Sequence, residues 1–169
     1  SSNRCLFVAM LLHDIAKGKK GDHSINGSVV ASIVCPRLGL SNDETEIVKW
    51  LVLNHLLLSK TAFRYELGDL KIIKDFANQV KTVERLKLLL VLTVADIKGV
   101  GPEIWNDWKG SLISDLYIKS LDILQRDNSV ERITENFETT EELFKSKLLN
   151  NGINNEAVTQ YCNYYYKNY

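Results

Sequence analysis

Two long apolar runs that each end in an acidic residue set the strongest limit on the fold. Residues 5–12 carry no charge and are followed directly by His13 and Asp14, and residues 86–95 are apolar nearly all round and are followed by Asp96. Runs of this kind predict buried helices. Burying a carboxylate after such a helix costs on the order of several kcal/mol unless a cation binds it, and a helix C-terminus itself disfavours negative charge. Both acids therefore predict a cation site.

The remaining apolar residues also recur at helical spacing. We predict further helices over 25–38, 41–55, 69–80 and 105–125. Residues 56–64 are predicted to form a connection. Because the sequence has no useful strand pattern and no glycine-rich phosphate loop, it predicts an all-α fold, an orthogonal helical bundle over residues 1–126 with a helical extension over 127–169.

The composition excludes several classes of partner. A chain of 169 residues with 45% hydrophobic residues can bury a core, while equal numbers of basic and acidic residues, 21 each, favour neither nucleic acid nor a membrane. Cys5, Cys35 and Cys162 are widely spaced, which indicates reduced, buried thiols in a cytoplasmic protein. No segment predicts a signal peptide or a membrane helix.

The three histidines of the chain all lie near the ends of predicted apolar helices. Imidazole and carboxylate both bind divalent cations, and neighbouring residues of a helix diverge by only about 100°. We therefore predict a metal centre with five ligands: His13, Asp14, His23, His55 and Asp96. If the helix ends converge, Asp14 bridges two ions, one shared with His13 and Asp96 and the other with His23 and His55.

Such a centre predicts metal-assisted phosphoester hydrolysis, because water held between two cations loses a proton near neutral pH and attacks phosphorus in line. Lys17 lies one helical turn after Asp14, and we predict that both are catalytic, with Lys17 neutralising charge on phosphoryl oxygens. Lys19 and Lys20 lie in the glycine-bounded loop that follows. Their positive charge is explained equally well by binding of an anionic substrate and by a loop exposed to solvent. On spacing alone, a helical bundle whose histidines only cap and hydrogen-bond is an equal alternative.

Three stretches carry a resemblance to a known family: HDIAKGKKGDHSINGS, WLVLNHLLLSKTAFR and LLVLTVADIKGVGPEIWNDWKGSLISDLY. The order of a His-Asp pair, two later histidines and an Ala-Asp pair resembles the HD-domain superfamily of metal-dependent phosphohydrolases. Over residues 6–125 the chain resembles, more narrowly, the HD domain of the bacterial bifunctional PII uridylyltransferase/uridylyl-removing enzymes. The VADI and GP..WN.WK pattern separates this family from other HD proteins.

The resemblance implies a cytoplasmic hydrolase of nitrogen regulation that releases UMP from a tyrosine of the PII signalling protein. It implies Mg²⁺ or Mn²⁺ as cofactor and stimulation by glutamine. His13, Asp14 and Asp96 match the metal ligands of the family, His23 and His55 match its additional histidines, and Lys17 matches the lysine after the His-Asp pair.

The family also has parts with no counterpart in this sequence. These are a further histidine on a helix before the His-Asp helix, a nucleotidyltransferase domain and glutamine-binding ACT domains. We expect the chain to be an excised fragment with no transferase activity, whose hydrolase activity is weakened by the missing histidine.

Two other functions stay open. One is a general HD phosphohydrolase of free nucleotides, which would cleave small substrates efficiently. The other is a catalytically silent helical module that docks to PII or to other domains, for which Asp14→Ala would leave partner binding unchanged.

Overall fold

A computed structural model of the protein describes residues 2–101 and 103–126. These residues form helices and short connections, and no strand occurs among them, which confirms the predicted all-α helical bundle. The helices are α1 (Ser2–Leu12), α2 (His23–Arg37), α3 (Asn42–Asn54), α4 (Leu57–Arg64), α5 (Leu70–Val80), α6 (Val83–Val100) and α7 (residues 107–126). The predicted extension over 127–169 lies outside the described residues.

Helices α1, α2 and α3 pack closely because small residues line their contact. Cys5 and Ala9 of α1 and Ala31 of α2 are fully buried. Helices α1 and α2 run antiparallel. Nη2 of Arg4, at the start of α1, donates a hydrogen bond at 2.7 Å to the carbonyl oxygen of Leu38, which follows the end of α2. α3 packs against both helices, so the last turns of α1 and α3 and the first turn of α2 come together.

Side-chain caps fix where α2 and α3 begin. The Asp22 carboxylate accepts hydrogen bonds from the backbone N–H groups of Ser24 and Ile25, so α2 begins at His23. Asp22 is therefore the N-cap of α2. Ser41 and Glu44 form a capping box at the start of α3.

The prediction of a connection over 56–64 is wrong, because most of this segment forms α4. Leu58, Thr61 and Ala62 are buried on one face of α4 at helical spacing. Polar residues lie between these three, and the helix is short, so the helical spacing of its apolar residues was not apparent in the sequence. The correction matters for the site, because α4 follows His55 almost directly.

Helix α6 is central to the fold and contacts α1, α3, α4 and α5. It continues through Gly99 and ends at Val100. Asp96 therefore lies inside the last turns of α6 and not at its end. No helix among the described residues is both long enough and apolar enough to cross a membrane.

Several apolar residues that the spacing assigned to the core face outward. Val29 and Ile33 of α2 are 58% and 53% exposed, and Phe7 and Leu11 of α1 are each 71% exposed. Trp108 is also exposed, and its ring stacks on that of Phe63. For the helices that it predicted, the apolar spacing placed more residues in the core than the structure buries.

Candidate metal centre

The five predicted ligands come from four separate places in the fold. His13 and Asp14 follow the last turn of α1, His23 is the first residue of α2, His55 caps the end of α3, and Asp96 lies in α6. The structure brings all five together. Whether they bind a cation stays a prediction.

The first group joins the end of α1 to α6. Nε2 of His13 lies 3.6 Å from Oδ2 of Asp14 and 3.4 Å from Oδ1 of Asp96. Atoms bound to one ion at about 2.1 Å lie roughly 3.0 to 3.4 Å apart, so this group is close to the size that a cation requires.

The second group joins Asp14 to the two other histidines. Oδ1 of Asp14 lies 3.8 Å from Nε2 of His23 and 4.0 Å from Nε2 of His55. In each group the possible ligand atoms all lie within 4.8 Å of one another. The Asp14 carboxylate thus faces one group with each of its oxygens.

Backbone carbonyls orient two of the histidine rings. Nδ1 of His13 lies 2.7 Å from the Met10 carbonyl oxygen, and Nδ1 of His55 lies 2.8 Å from that of Val52. A carbonyl oxygen only accepts, so Nδ1 must be the donor in both rings. A neutral ring then keeps its lone pair on Nε2, the atom that faces Asp14, which is a common arrangement for metal-binding histidines.

His55 is the deepest member of the cluster, with 2% of its surface exposed. Burial lowers its pKa, against the opposing effect of the hydrogen bond with the Val52 backbone, so the ring is uncharged at neutral pH. The His13 and His23 rings meet it edge-on, with centroids 5.4 Å and 5.2 Å away. An uncharged imidazole is the form that binds metal.

Lys17 contacts the cluster from the solvent side. Its ammonium group donates a hydrogen bond to Oδ2 of Asp14 at 2.8 Å, and 72% of its side chain is exposed. Burial works to raise the pKa of Asp14, but the Lys17 hydrogen bond and the nearby charges outweigh it and hold that pKa below its usual value. Asp14 is therefore ionised, as a cation ligand must be.

A cavity of about 280 Å³ opens beside the first group. His13, Asp14 and Asp96 line one part of it, and the apolar side chains of Met10, Leu92 and Val100 are among those that line the rest. The donor set of imidazoles and carboxylates fits a divalent cation of the magnesium, manganese, iron or zinc type. The cavity leaves room for a substrate at that cation.

The sequence prediction missed the groups that support the ligands. The carbonyls of Met10 and Val52 each precede a histidine by three residues, a spacing that a helix end brings into hydrogen-bond reach. The apolar cavity wall was missed because Leu92 lies in an apolar run that predicts only a buried helix, and Val100 lies beyond the end of that run. Only the helix packing shows that they border the cluster.

Comparison with known families gives an independent result. Residues 2–98 match the HD domain family. This range includes all five residues of the cluster and the helices that hold them. No solved structure shows a significant match.

Similar proteins share one name, bifunctional uridylyltransferase/uridylyl-removing enzyme. The protein of Novosphingobium aromaticivorans is 56% identical over 74% of this chain, and that of Azospirillum brasilense is 56% identical over 77%. The protein of Rhodospirillum rubrum is 57% identical over 73% of the chain. The matched part spans only 14%, 14% and 13% of these three relatives, so each of them is far longer than the chain described here.

Proposed function

The chain belongs to the HD domain family, as the resemblance predicted, and on that premise we propose that its His-Asp cluster is the hydrolytic centre of a uridylyl-removing enzyme. The family and the names of the relatives support a metal-dependent phosphohydrolase. The proposed reaction is hydrolysis of the phosphodiester between UMP and a tyrosine of PII, with Mg²⁺ or Mn²⁺ as cofactor. The setting would be cytoplasmic, in keeping with the unpaired, buried Cys5 and Cys35.

One observation carries this proposal. The two oxygens of Asp14 face different groups of ligands: Oδ2 faces His13, which contacts Asp96, and Oδ1 faces His23 and His55. A carboxylate so placed is able to hold two cations next to each other. Cations bound there would withdraw charge from a phosphoryl group and lower the pKa of a water molecule.

The residues of the chain would divide the remaining work. His13 and His55, oriented through Nδ1, would present Nε2 without a rotamer change. Lys17 lies on the open side of Asp14, where its exposed ammonium would contact a phosphoryl oxygen. The apolar wall of the cavity would exclude water from one side of the reacting bond.

The test measures Mn²⁺-dependent hydrolysis of bis(p-nitrophenyl) phosphate and release of UMP from uridylylated PII. For Asp14→Asn we expect a loss of at least about 100-fold on both substrates, because both ligand groups lose their shared carboxylate. The matched control is Asp43→Asn, an exposed acid at the other end of α3, about 18 Å from His55 along the helix. The control variant should retain the wild-type rate.

The outcomes separate the proposed function from the alternatives. Metal-dependent activity that survives in Asp14→Asn would overturn the assignment. Rapid cleavage of free nucleotides with no release of UMP from PII would favour a general nucleotide phosphohydrolase. Binding of PII with no hydrolysis of either substrate would favour a docking module.

A further inference from the structure

The loop between α1 and α2 carries a concentration of positive charge beside the cluster. Lys17, Lys19 and Lys20 are all exposed. Since the chain as a whole has equal numbers of basic and acidic residues, this charge is a local feature. We call residues 15–22 the basic loop.

Both ends of the basic loop are attached to the cluster. It begins directly after Asp14 and ends directly before His23. Lys20 precedes His23 by three residues, so their Cα atoms lie no more than about 11 Å apart. The backbone of the basic loop is therefore anchored next to the proposed hydrolytic centre.

The basic loop is held by its own hydrogen bonds. The backbone N–H groups of Ile15, Lys17 and Lys19 donate to carbonyl oxygens three residues earlier, at 3.1, 2.9 and 3.1 Å. Nδ2 of Asn26 donates to the Lys20 carbonyl oxygen at 3.1 Å. Gly18 and Gly21 provide the left-handed backbone that these turns need, with φ of 83° and 97°. The lysines are thus presented from a defined backbone.

Two of the three lysine charges are not neutralised within the described part of the chain. Lys17 pairs with Asp14 at 2.8 Å. The carboxylate of Asp22 is occupied by the backbone N–H groups at the start of α2. No ion pair of Lys19 or Lys20 occurs among the residues described.

From these observations, and resting on the proposed function, we infer that Lys19 and Lys20 bind an acidic segment of the protein substrate next to the side chain that carries the phosphodiester. A phosphodiester has one negative charge, and Lys17 with the bound cations would already match it. The two further positive charges need negative partners outside the reacting group. Apart from His13, Asp14 and Asp96, the residues that line the cavity are apolar, so the charge of the basic loop would fix the direction in which a protein docks.

The test compares Lys19→Glu/Lys20→Glu with a matched control, Lys71→Glu/Lys74→Glu, which reverses two exposed charges on α5. The assays are release of UMP from uridylylated PII and hydrolysis of bis(p-nitrophenyl) phosphate, both with Mn²⁺. We expect KM for the protein to rise about tenfold or more in the basic-loop variant, with the small substrate unaffected. Added salt should raise KM of the wild type towards that of the variant. The variant Lys19→Arg/Lys20→Arg, which keeps both positive charges, should have the same KM for the protein as the wild type.

Other results would overturn the inference. An unchanged KM for the protein would show that the basic loop only contacts solvent. Equal losses on both substrates would show that these lysines serve the reacting group itself.

Direct binding separates this inference from the proposed function. If no hydrolysis occurs, binding of uridylylated PII is measured by calorimetry for both charge-reversal variants. Binding weakened only in the basic-loop variant supports the inference although the proposed function has failed. Equal binding of both variants overturns it.

Discussion

His55 shows how the neighbours of one side chain determine what it does. Its burial leaves the ring uncharged, and the Val52 carbonyl fixes the ring with Nε2 towards Asp14. A proton and a cation compete for the same lone pair. A ring with a lowered pKa gives a cation less competition, which explains why burial at this position helps a metal centre.

A second buried residue offers a test of hydrogen bonding in the core. Thr93 is 1% exposed, and its hydroxyl has no partner within the described residues, whereas Oγ1 of Thr45 donates to the Ser41 carbonyl oxygen at 2.8 Å. We expect Thr93→Val to raise the free energy of unfolding by up to about 1 kcal/mol, because an unpaired buried hydroxyl is costly. Thr45→Val should lower it by about 1 kcal/mol. Urea denaturation measures the free energy of unfolding of both variants. An equal decrease in the two variants would contradict the prediction.

For individual residues, the sequence predicted which side chains form the cluster but not the hydrogen bonds that orient them. His13, His55 and Asp96 could be singled out because polar residues at the ends of apolar runs need partners. The hydrogen bonds from His13 to Met10 and from Lys17 to Asp14 depend on side-chain rotamers. Spacing along the chain does not specify a rotamer, so these contacts had to come from the structure.

Among the helices, α2 depends most on a single small residue. A Cβ on Gly27 would lie 2.9 Å from Cγ1 of Val52 and 3.6 Å from the Leu12 carbonyl oxygen. The contact is therefore between α2, α3 and the end of α1. Any residue larger than glycine would push α2 away from Val52, which lies in the last turn of α3 just before His55.

We therefore expect Gly27→Ala to reduce the free energy of unfolding by about 2 kcal/mol and to weaken Mn²⁺ binding. In most helix interiors the same change stabilises by roughly 0.5–1 kcal/mol, so the sign of the effect is informative. Gly68→Ala is the control, since a Cβ there meets nothing within 4 Å. Denaturation and metal titration of the two variants give the answer. A stabilised Gly27→Ala variant would mean that α2 is not packed as described.

Helices differed in how well the sequence predicted them. α3 and α5 were predicted almost to the residue because Ser41 and Asp69 cap them. α4 was missed because eight residues hold only two turns of the apolar period. α6 extends beyond the apolar run over residues 86–95 and continues through Gly99, because in an otherwise strong helix glycine costs only about 1 kcal/mol.

For the molecule as a whole, a cation that binds only the folded state must stabilise it. At a Mn²⁺ concentration 100 times the dissociation constant, we expect about 2.7 kcal/mol of added stability. The midpoint temperature of thermal unfolding should therefore rise by several degrees with Mn²⁺ and fall back when a chelator removes the ion. Asp14→Asn is expected to show no shift. An equal shift in that variant would place the cation elsewhere.

The all-α bundle and the five clustered residues could be predicted because apolar periodicity and residue chemistry are properties of the sequence itself. The grouping around Asp14 was expected only if the helix ends converged. Convergence depends on small residues such as Gly27 and Ala31 that let helices approach, and their effect appears only once the helices are packed. The size and apolar wall of the cavity follow from that packing.

The two groups around Asp14 also differ in when they are complete as the chain is synthesised. Asp14, His23 and His55 have all been translated once α3 has been made, whereas the group with His13 waits for Asp96, roughly 80 residues after Asp14. All three residues of one group are therefore synthesised well before the last residue of the other group. The nascent chain therefore passes through a stage in which the group of Asp14, His23 and His55 has all its residues, while the group of His13 and Asp14 still lacks Asp96.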